Sequence, residues 1–327
     1  MTERVLVTGG TGFLGSHLVR LLRKEGRQVR VLVRRPERMG LLKNVDGLET
    51  VAGDVLDVDS VRDALTGVTQ VFHCAAFVGF GGRAELDPMM DVNVGGTRNV
   101  VNEALKAGVG RLVHTSSIAA LGRTERPTGC LNEQAVWTES PMNTAYARSK
   151  HLAELEVHRA IAEGLDAVIV NPSLIMGAGR PGENTTQIAE RIRDRRLPAF
   201  PSGATNVVDV EDVATGHLAA LARGEKGQRY ILGGENLTWQ SIILTLAGAF
   251  GVPPPTRHMS ARAAMILGAA GEIIATVTRR PPMLTREGAR VTGHKTCYEN
   301  ARARTELGMT FRPFKETAQR MAGALAR

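Results

Sequence analysis

Tyr146 and Lys150 stand four residues apart in the run Tyr-Ala-Arg-Ser-Lys, inside a stretch from about 145 to 163 whose pattern predicts a helix. On a helix that spacing brings both side chains to one face, one turn apart. A phenol that titrates at about 10 is a weak acid-base catalyst at neutral pH, and a neighbouring ammonium would favour phenolate and lower that value. A hydroxyl to orient the reacting oxygen is offered by Thr115-Ser116-Ser117, which closes an apolar run at 111–115 and so stands at the end of a strand. Ser117 there would hydrogen-bond a substrate oxygen while Tyr146 gives or takes its proton. A helical Tyr and Lys at this spacing are more often a packed ring and a solvated amine. The assignment therefore depends on what accompanies them.

What accompanies them is a glycine loop, Thr8-Gly9-Gly10-Thr11-Gly12-Phe13-Leu14-Gly15, set between a first strand at 4–8 and a helix beginning near Leu14. Gly9 permits the tight turn, Gly12 lets backbone approach a pyrophosphate, and Gly15 lets helix and strand pack closely. The amides and dipole of the helix N-terminus then face the phosphates, with Thr11, Phe13 and Leu14 alongside. Strand, loop, helix and second strand together form the unit that binds a dinucleotide. In such a site the Lys150 amine would hold the nicotinamide ribose, and hydride transfer would run beside Tyr146.

About twenty residues past the last glycine, where an NAD enzyme carries an acidic ribose ligand, stands Val33-Arg34-Arg35-Pro36. Arg34 would attract a 2′-phosphate, which favours NADP over NAD; an exposed arginine pair on a basic protein is the plainer alternative. Asp54, followed by Val55, is placed to accept from the adenine amino group or to serve as a turn aspartate. Ala75 and Ala76, at the end of a fourth strand, are small enough for backbone to lie close to the cofactor, and Asn93 is expected to bond buried backbone or a water.

The elements that would position these groups alternate along the first half. Short β-branched runs at 5–7, 29–33, 49–52, 71–74, 111–115 and 167–170 are separated by helical patterns, which predicts an α/β fold with a doubly wound parallel sheet of the Rossmann type. We expect residues 1–170 to form the nucleotide-binding domain. Residues 171–327 are expected to form mainly a smaller substrate-binding lobe, with a late strand at 229–232 and a helix from about 238 to 250 returning to the body. The glycine- and proline-containing loops at 177–182 and 198–203 would select substrate.

The 327 residues, 43% hydrophobic and 23% charged, have the composition of a globular protein with a sizeable core. Only 4% are aromatic and the arginines are scattered, so despite a net charge of +8 no nucleic-acid partner is expected. Cys74, Cys130 and Cys297 are odd in number and widely spaced, which suggests neither a disulfide framework nor a zinc site and fits a reducing compartment. No HExxH or GxSxG pattern occurs, so no metal is expected, and His114, His151 and His158 are read as structural or exposed. The first strand begins almost at once, which points to the cytoplasm. An apolar stretch at 263–277, with Arg262, Arg279 and Arg280 at its flanks, is too short to cross a bilayer. It reads either as a packed helix or subunit contact, or as peripheral membrane contact through 263–280.

With TGGTGFLG, the TSS at 115–117 and YARSK at 146–150 in this order, the chain resembles the extended short-chain dehydrogenase/reductase family. VLVRRP at 31–36, NVGGTRNVV at 93–101 and NPSLIMG at 171–177 are similar to its dihydroflavonol reductase-like branch. The resemblance implies a catalytic triad of Ser117, Tyr146 and Lys150, with Gly9, Gly12, Gly15 and Arg34 on the cofactor. It also implies contact of Pro172 and Ser173 with the nicotinamide end, and homodimers are usual for the family. Members acting on sugar nucleotides carry Tyr-Gly after the hydroxyl motif and an Arg-Asp pair later, where this chain has Leu121-Gly122 and Thr205-Asn206. The reading that results is NADP(H)-dependent reduction of a ketone or aldehyde. The alternatives are an epimerase or dehydratase that retains its nicotinamide and a non-catalytic sensor of the NADP state.

Overall fold

The computed structural model describes residues 3–79, 85–123, 129–182, 185–278 and 284–326; Arg279 and Arg280, expected flanks of the apolar stretch, lie outside them. The first half runs β1 (Arg4–Thr8), α1 (Phe13–Lys24), β2 (Gln28–Val33), β3 (Leu48–Ala52), α2 (Val58–Leu65), β4 (Gln70–His73), α3 (Leu86–Met90), α4 (Gly96–Lys106), β5 (Arg111–Thr115), α5 (Ala145–Ala162) and β6 (Ala167–Pro172). It continues through β7 (Leu174–Met176), α6 (Thr186–Arg193), β8 (Phe200–Pro201), β9 (Ala204–Asp209), α7 (Val210–Arg223), β10 (Arg229–Leu232), β11 (Glu235–Thr238) and α8 (Trp239–Phe250). The chain ends with β12 (His258–Met259), α9 (Ala261–Thr278), α10 (Arg286–Gly293), α11 (Ala301–Thr305) and α12 (Phe314–Leu325).

Seven of these strands form one sheet in the order β10-β6-β5-β4-β1-β2-β3, parallel at every pairing. Parallel strands are joined by crossover helices that cover both faces, so the strands read as apolar on both sides. Val5 and Val7 of β1 point to a core shared with Leu18 and Leu22 of α1 and Val213 of α7. Leu6 between them points to the opposite core, shared with Val61 of α2, Val100 of α4 and Val157 of α5. The two-residue alternation of a strand thus sorts one short run into two cores. All seven strands of this sheet match expected runs, as does α5; α8 forms where expected but packs against α6 and α12 instead of returning to this sheet.

The smaller elements were less visible. β9 lies between β7, to which it is parallel, and β11, to which it is antiparallel. Met176, Phe200 and Val207 pack with Trp239 and Ile242 of α8 and with Phe314 and Met321 of α12 in a third apolar cluster.

One expectation is corrected. Cys130 and Cys297 are bonded as a disulfide across 167 residues of sequence, their Cα atoms 4.7 Å apart, and only Cys74 is a free thiol among the described cysteines. The segments run side by side there, with the Leu131 amide donating to Cys297 O and the Glu299 amide to Leu131 O. Sequence spacing carries no trace of such a pairing because the tertiary fold creates it.

Three histidines lie under the sheet's C-terminal edge with no more than 1% exposure: His73, His114 and His217. The Thr97 hydroxyl donates to Asn93 O at 2.6 Å, so His73 Nε2, 3.0 Å from that hydroxyl, must be the protonated ring nitrogen. Its Nδ1 then accepts from Thr8 Oγ1 at 2.7 Å. His217 Nδ1 faces Val213 O and its Nε2 faces Thr115 Oγ1, each at 2.8 Å. Neither ring nitrogen of His114 has a protein partner. Burial lowers all three, His73 to about 3 and His217 to about 4.

These rings stay neutral in the folded protein while unfolded imidazoles gain protons below 6.5. Stability is therefore complete above that pH and is lost as pH falls toward the folded values. Unfolding midpoints measured from pH 7 to pH 4 should drop steeply, and His114→Leu should flatten the acid limb. Parallel curves for the two proteins would contradict the buried neutral ring.

Candidate active site

The glycine loop turns between β1 and α1, where each glycine answers a different contact. Gly9 has φ of +70°, and a Cβ there would fall 2.6 Å from the Ala75 amide nitrogen, so the loop lies directly against the end of β4. Gly12 precedes α1 and donates its amide to Gly9 O at 2.9 Å. A Cβ on Gly15 would stand 2.2 Å from Gly9 O, so this glycine makes room for the loop itself rather than for a strand. Packing against β2 falls to Gly10, whose Cβ would meet Val31 at 2.6 Å. Sequence reasoning had left Gly10 without a role.

Around this cradle, Leu14 is buried in the core, while Thr11 and Phe13 are half-buried. Arg34 follows β2 and is exposed, like Arg35. The Asp54 carboxylate accepts from the Leu56 amide at 3.0 Å, the geometry of a turn aspartate. Val55 is buried, with its carbonyl receiving the Asn99 amide group at 3.0 Å. The Ala75 amide donates to Thr8 Oγ1 at 3.3 Å, and Ala76 is exposed. Arg180, which the sequence did not single out, donates to Thr11 O and lies against Gly40, with its Cζ 3.1 Å from where a Cβ would be.

The three expected catalytic residues come from neighbouring elements. Thr144 caps α5 by accepting the Ala147 amide at 3.1 Å, which fixes the first turn that carries Tyr146. Lys150 follows one turn later, only 2% exposed, and its Nζ donates to Thr115 O at 2.7 Å. Ser117 lies just past β5; its Oγ accepts the Ala119 amide at 3.1 Å, and its hydroxyl acts on the Tyr146 phenol in the sense that favours phenolate.

A set of polar residues missed in the sequence holds this serine. Asn171, the penultimate residue of β6, donates through Nδ2 to Ser117 O at 2.9 Å and to Glu154 Oε1 at 2.6 Å. Glu154 in turn faces Arg229, whose Nη2 donates to Glu133 O at 2.7 Å and Ala135 O at 2.9 Å. Asn93 does bond backbone as expected: its Oδ1 accepts the Phe77 amide at 2.7 Å and its Nδ2 donates to Phe77 O and Ser149 Oγ. The available signal was an Asn beside Pro172 and a Glu one turn past the Lys, which is faint without coordinates.

Pro172 is buried in β6 opposite Leu232, and the Ser173 amide donates to Leu232 O at 3.1 Å. Ser116 Oγ and Ser173 Oγ are buried and have no protein partner. A cradle without side chains fits the close backbone approach of a dinucleotide's pyrophosphate. His114 is buried, His151 stacks on Trp137 with ring centroids 4.3 Å apart, and His158 is exposed. No cluster of metal-binding side chains occurs among the described residues.

The electrostatics reverse one expectation. Burial pushes the Tyr146 phenol above its ordinary value, with the Ser117 hydrogen bond and the Arg123 charge acting in the opposite sense. The Lys150 ammonium, directed at the Thr115 carbonyl, is not what sets the phenol's acidity here. Lys150 itself is brought down from 10.5 to about 8, chiefly by burial, with Glu154 opposing.

Below about 8 that ammonium is charged in folded and unfolded chains alike, and between 8 and 10.5 the unfolded chain holds the proton more tightly. Raising pH through this window therefore stabilises the folded protein. Against Lys150→Met, the wild-type unfolding midpoint should gain as pH rises from 8 to 10.5. A constant gap between the two proteins would contradict a buried ammonium.

Comparison with known proteins identifies the family and the fold. Residues 5–233 match the NAD dependent epimerase/dehydratase family. The chain is 35% identical to a Synechocystis protein named dihydroflavonol 4-reductase, over 99% of this chain and 94% of that one. It is 38% identical to sterol demethylase protein B of Methylococcus capsulatus, over 93% and 92% of the two chains. The crystal structure of gox2253 superposes with a TM-score of 0.84 at 32% identity, covering 99% of this chain and 98% of that one. The chain thus belongs to the NAD-dependent epimerase/dehydratase family of extended short-chain dehydrogenases/reductases, as an NAD(P)-dependent oxidoreductase whose relatives include the dihydroflavonol reductase-like enzymes.

Proposed function

We propose that this enzyme uses NADPH to reduce a ketone or aldehyde on an apolar small molecule to the alcohol. The observation that carries the reading is the convergence of Tyr146, Ser117 and the buried Lys150 beside a side-chain-free loop at the same edge of the sheet. Nicotinamide supplies the hydride. Ser117 orients the carbonyl oxygen, Tyr146 protonates it, and Lys150 holds the ribose and replenishes the proton. A phenol kept protonated by burial suits a proton donor, the role that reduction requires. Arg34, exposed at the end of β2, would take the 2′-phosphate.

In this reading Gly9, Gly12 and Gly15 with the amides near Phe13 and Leu14 hold the pyrophosphate, Asp54 and Val55 flank the adenine, and Ala75, Ala76, Pro172 and Ser173 line the nicotinamide end. Residues 1–170 form the nucleotide-binding domain and 171–327 mainly the substrate lobe. A homodimer fits the family. The cytoplasm, with its NADPH pool, fits the chemistry, and there the Cys130–Cys297 bond would face a reducing thiol pool. No helix among the described residues is long and apolar enough to cross a membrane.

The family's description favours a second reading, an epimerase or dehydratase that returns the hydride to its own substrate. Nicotinamide that co-purifies and survives dialysis would mark that case. The reductase predicts exchangeable cofactor and steady NADPH oxidation against a panel of apolar ketones and aldehydes; no turnover with any carbonyl or alcohol in either direction would refute it. Tyr146→Phe should cut kcat roughly a hundredfold or more with cofactor affinity nearly unchanged. Arg34→Ser should raise KM for NADPH roughly 10- to 100-fold while leaving NADH unaffected, and equal effects on both cofactors would remove Arg34 from the 2′-phosphate.

A further inference from the structure

The helix α9 is packed the wrong way round for an ordinary surface helix. Its inner side carries small residues: Ala264 is 5% exposed, and a Cβ on Gly268 would fall 2.7 Å from Thr285 O at the start of α10. Its outer side carries the large ones, with Ile266 70%, Leu267 53%, Ile273 68% and Ile274 60% exposed. At positions i, i+1, i+7 and i+8 these four make one apolar stripe along the helix. Glu272, the one acidic residue of α9, is turned to α10, where its carboxylate receives the Arg286 amide at 2.8 Å and Nε at 2.7 Å. Arg257, just before β12, and Arg262, in the first turn of the helix, are exposed, and in the sequence Arg279 and Arg280 come directly after it.

An apolar stripe with cationic ends matches a bilayer surface bearing anionic headgroups. It matches a second copy of the chain poorly. A two-fold pair crossing along the stripe would offer no acidic side chain of α9 to the partner's Arg262, because Glu272 is turned to α10. Placement favours the membrane as well. α10 joins α9 to the catalytic helix: Glu287 Oε1 accepts the Ala145 amide at 3.2 Å, beside Tyr146, and Arg290 reaches Pro141 O. The stripe-bearing helix is therefore packed on the element that contacts the start of the catalytic helix.

We infer that α9 docks the enzyme on an anionic lipid surface, lying in the interface without crossing it, and that substrate reaches the cleft from that surface. The second half of this statement rests on the reading of an apolar carbonyl substrate; the first half does not.

The test is co-sedimentation of the full chain with vesicles of phosphatidylcholine, with and without phosphatidylglycerol, at low and raised salt. The wild type should partition onto the anionic vesicles and be released by salt. Ile266→Glu/Ile273→Glu should lower that partition about tenfold or more, with an unchanged melting curve and unchanged turnover of a water-soluble carbonyl. Arg257→Glu/Arg262→Glu should remove the preference for phosphatidylglycerol. Absence of wild-type binding, or equal binding by the isoleucine variant, would overturn the inference. So would a wild-type oligomer that the isoleucine variant dissociates in the absence of vesicles, which would assign the stripe to a second copy. Loss of carbonyl turnover in every assay with vesicle binding intact would refute the proposed function and leave the docking standing.

Discussion

A lysine ammonium held almost out of solvent is the constraint around which this site is built. Lys150 is 2% exposed, and an isolated charge at that depth is strongly disfavoured unless it is hydrogen-bonded and partnered. The Thr115 carbonyl at 2.7 Å supplies the hydrogen bond, and Glu154 one turn along α5 supplies opposing charge. Both partners are available only because β5, β6 and α5 converge at the C-terminal edge of the sheet, where open α/β folds bind their ligands. The same ammonium helps keep His73 and His114 beneath it neutral, so the polar floor of the site remains free of competing charge.

That floor is organised in two directions from Lys150. Toward β6, the Arg229–Glu154–Asn171 chain ends on the Ser117 carbonyl and sets the serine against Tyr146. Toward β4, the Thr115 hydroxyl lies between His217 and Cys74. Because His217 Nδ1 must donate to Val213 O, its Nε2 accepts from Thr115, which leaves the Cys74 thiol as donor to Thr115 Oγ1. His73, His217, Thr115 and Cys74 each thus have an assigned proton, whereas His114 has no partner to assign one. The glycine loop then closes over β4 with no side chain between Gly9 and Ala75, leaving backbone as the surface that faces a ligand.

The central sheet was legible because parallel strands buried on both faces are written as short β-branched runs, and the glycine loop because a turn at φ of +70° against Ala75 admits no other residue comfortably. Tyr146, Lys150 and Ser117 were legible as a set, since helical spacing and strand ends are local properties. What escaped depends on distant segments meeting. Asn171, Glu154 and Arg229 gain their meaning only from each other, Cys130 and Cys297 are 167 residues apart, and Gly10 matters through Val31. The short strands β7, β9 and β11 escaped because they are too brief or too polar to show a period. The direction of the Tyr146 shift was misjudged for a physical reason: adjacency on a helix fixes where an amine starts, but not that its head will turn to the Thr115 carbonyl.

The most direct test of the account is a crystal structure of the enzyme with NADP+ bound. It predicts the pyrophosphate on the amides of the glycine loop, the Tyr146 hydroxyl beside the reactive carbon of the nicotinamide, and Lys150 Nζ drawn from Thr115 O to the ribose hydroxyls. A dinucleotide seated elsewhere, or a Tyr146 hydroxyl turned away from the nicotinamide with no room to approach it, would contradict the account.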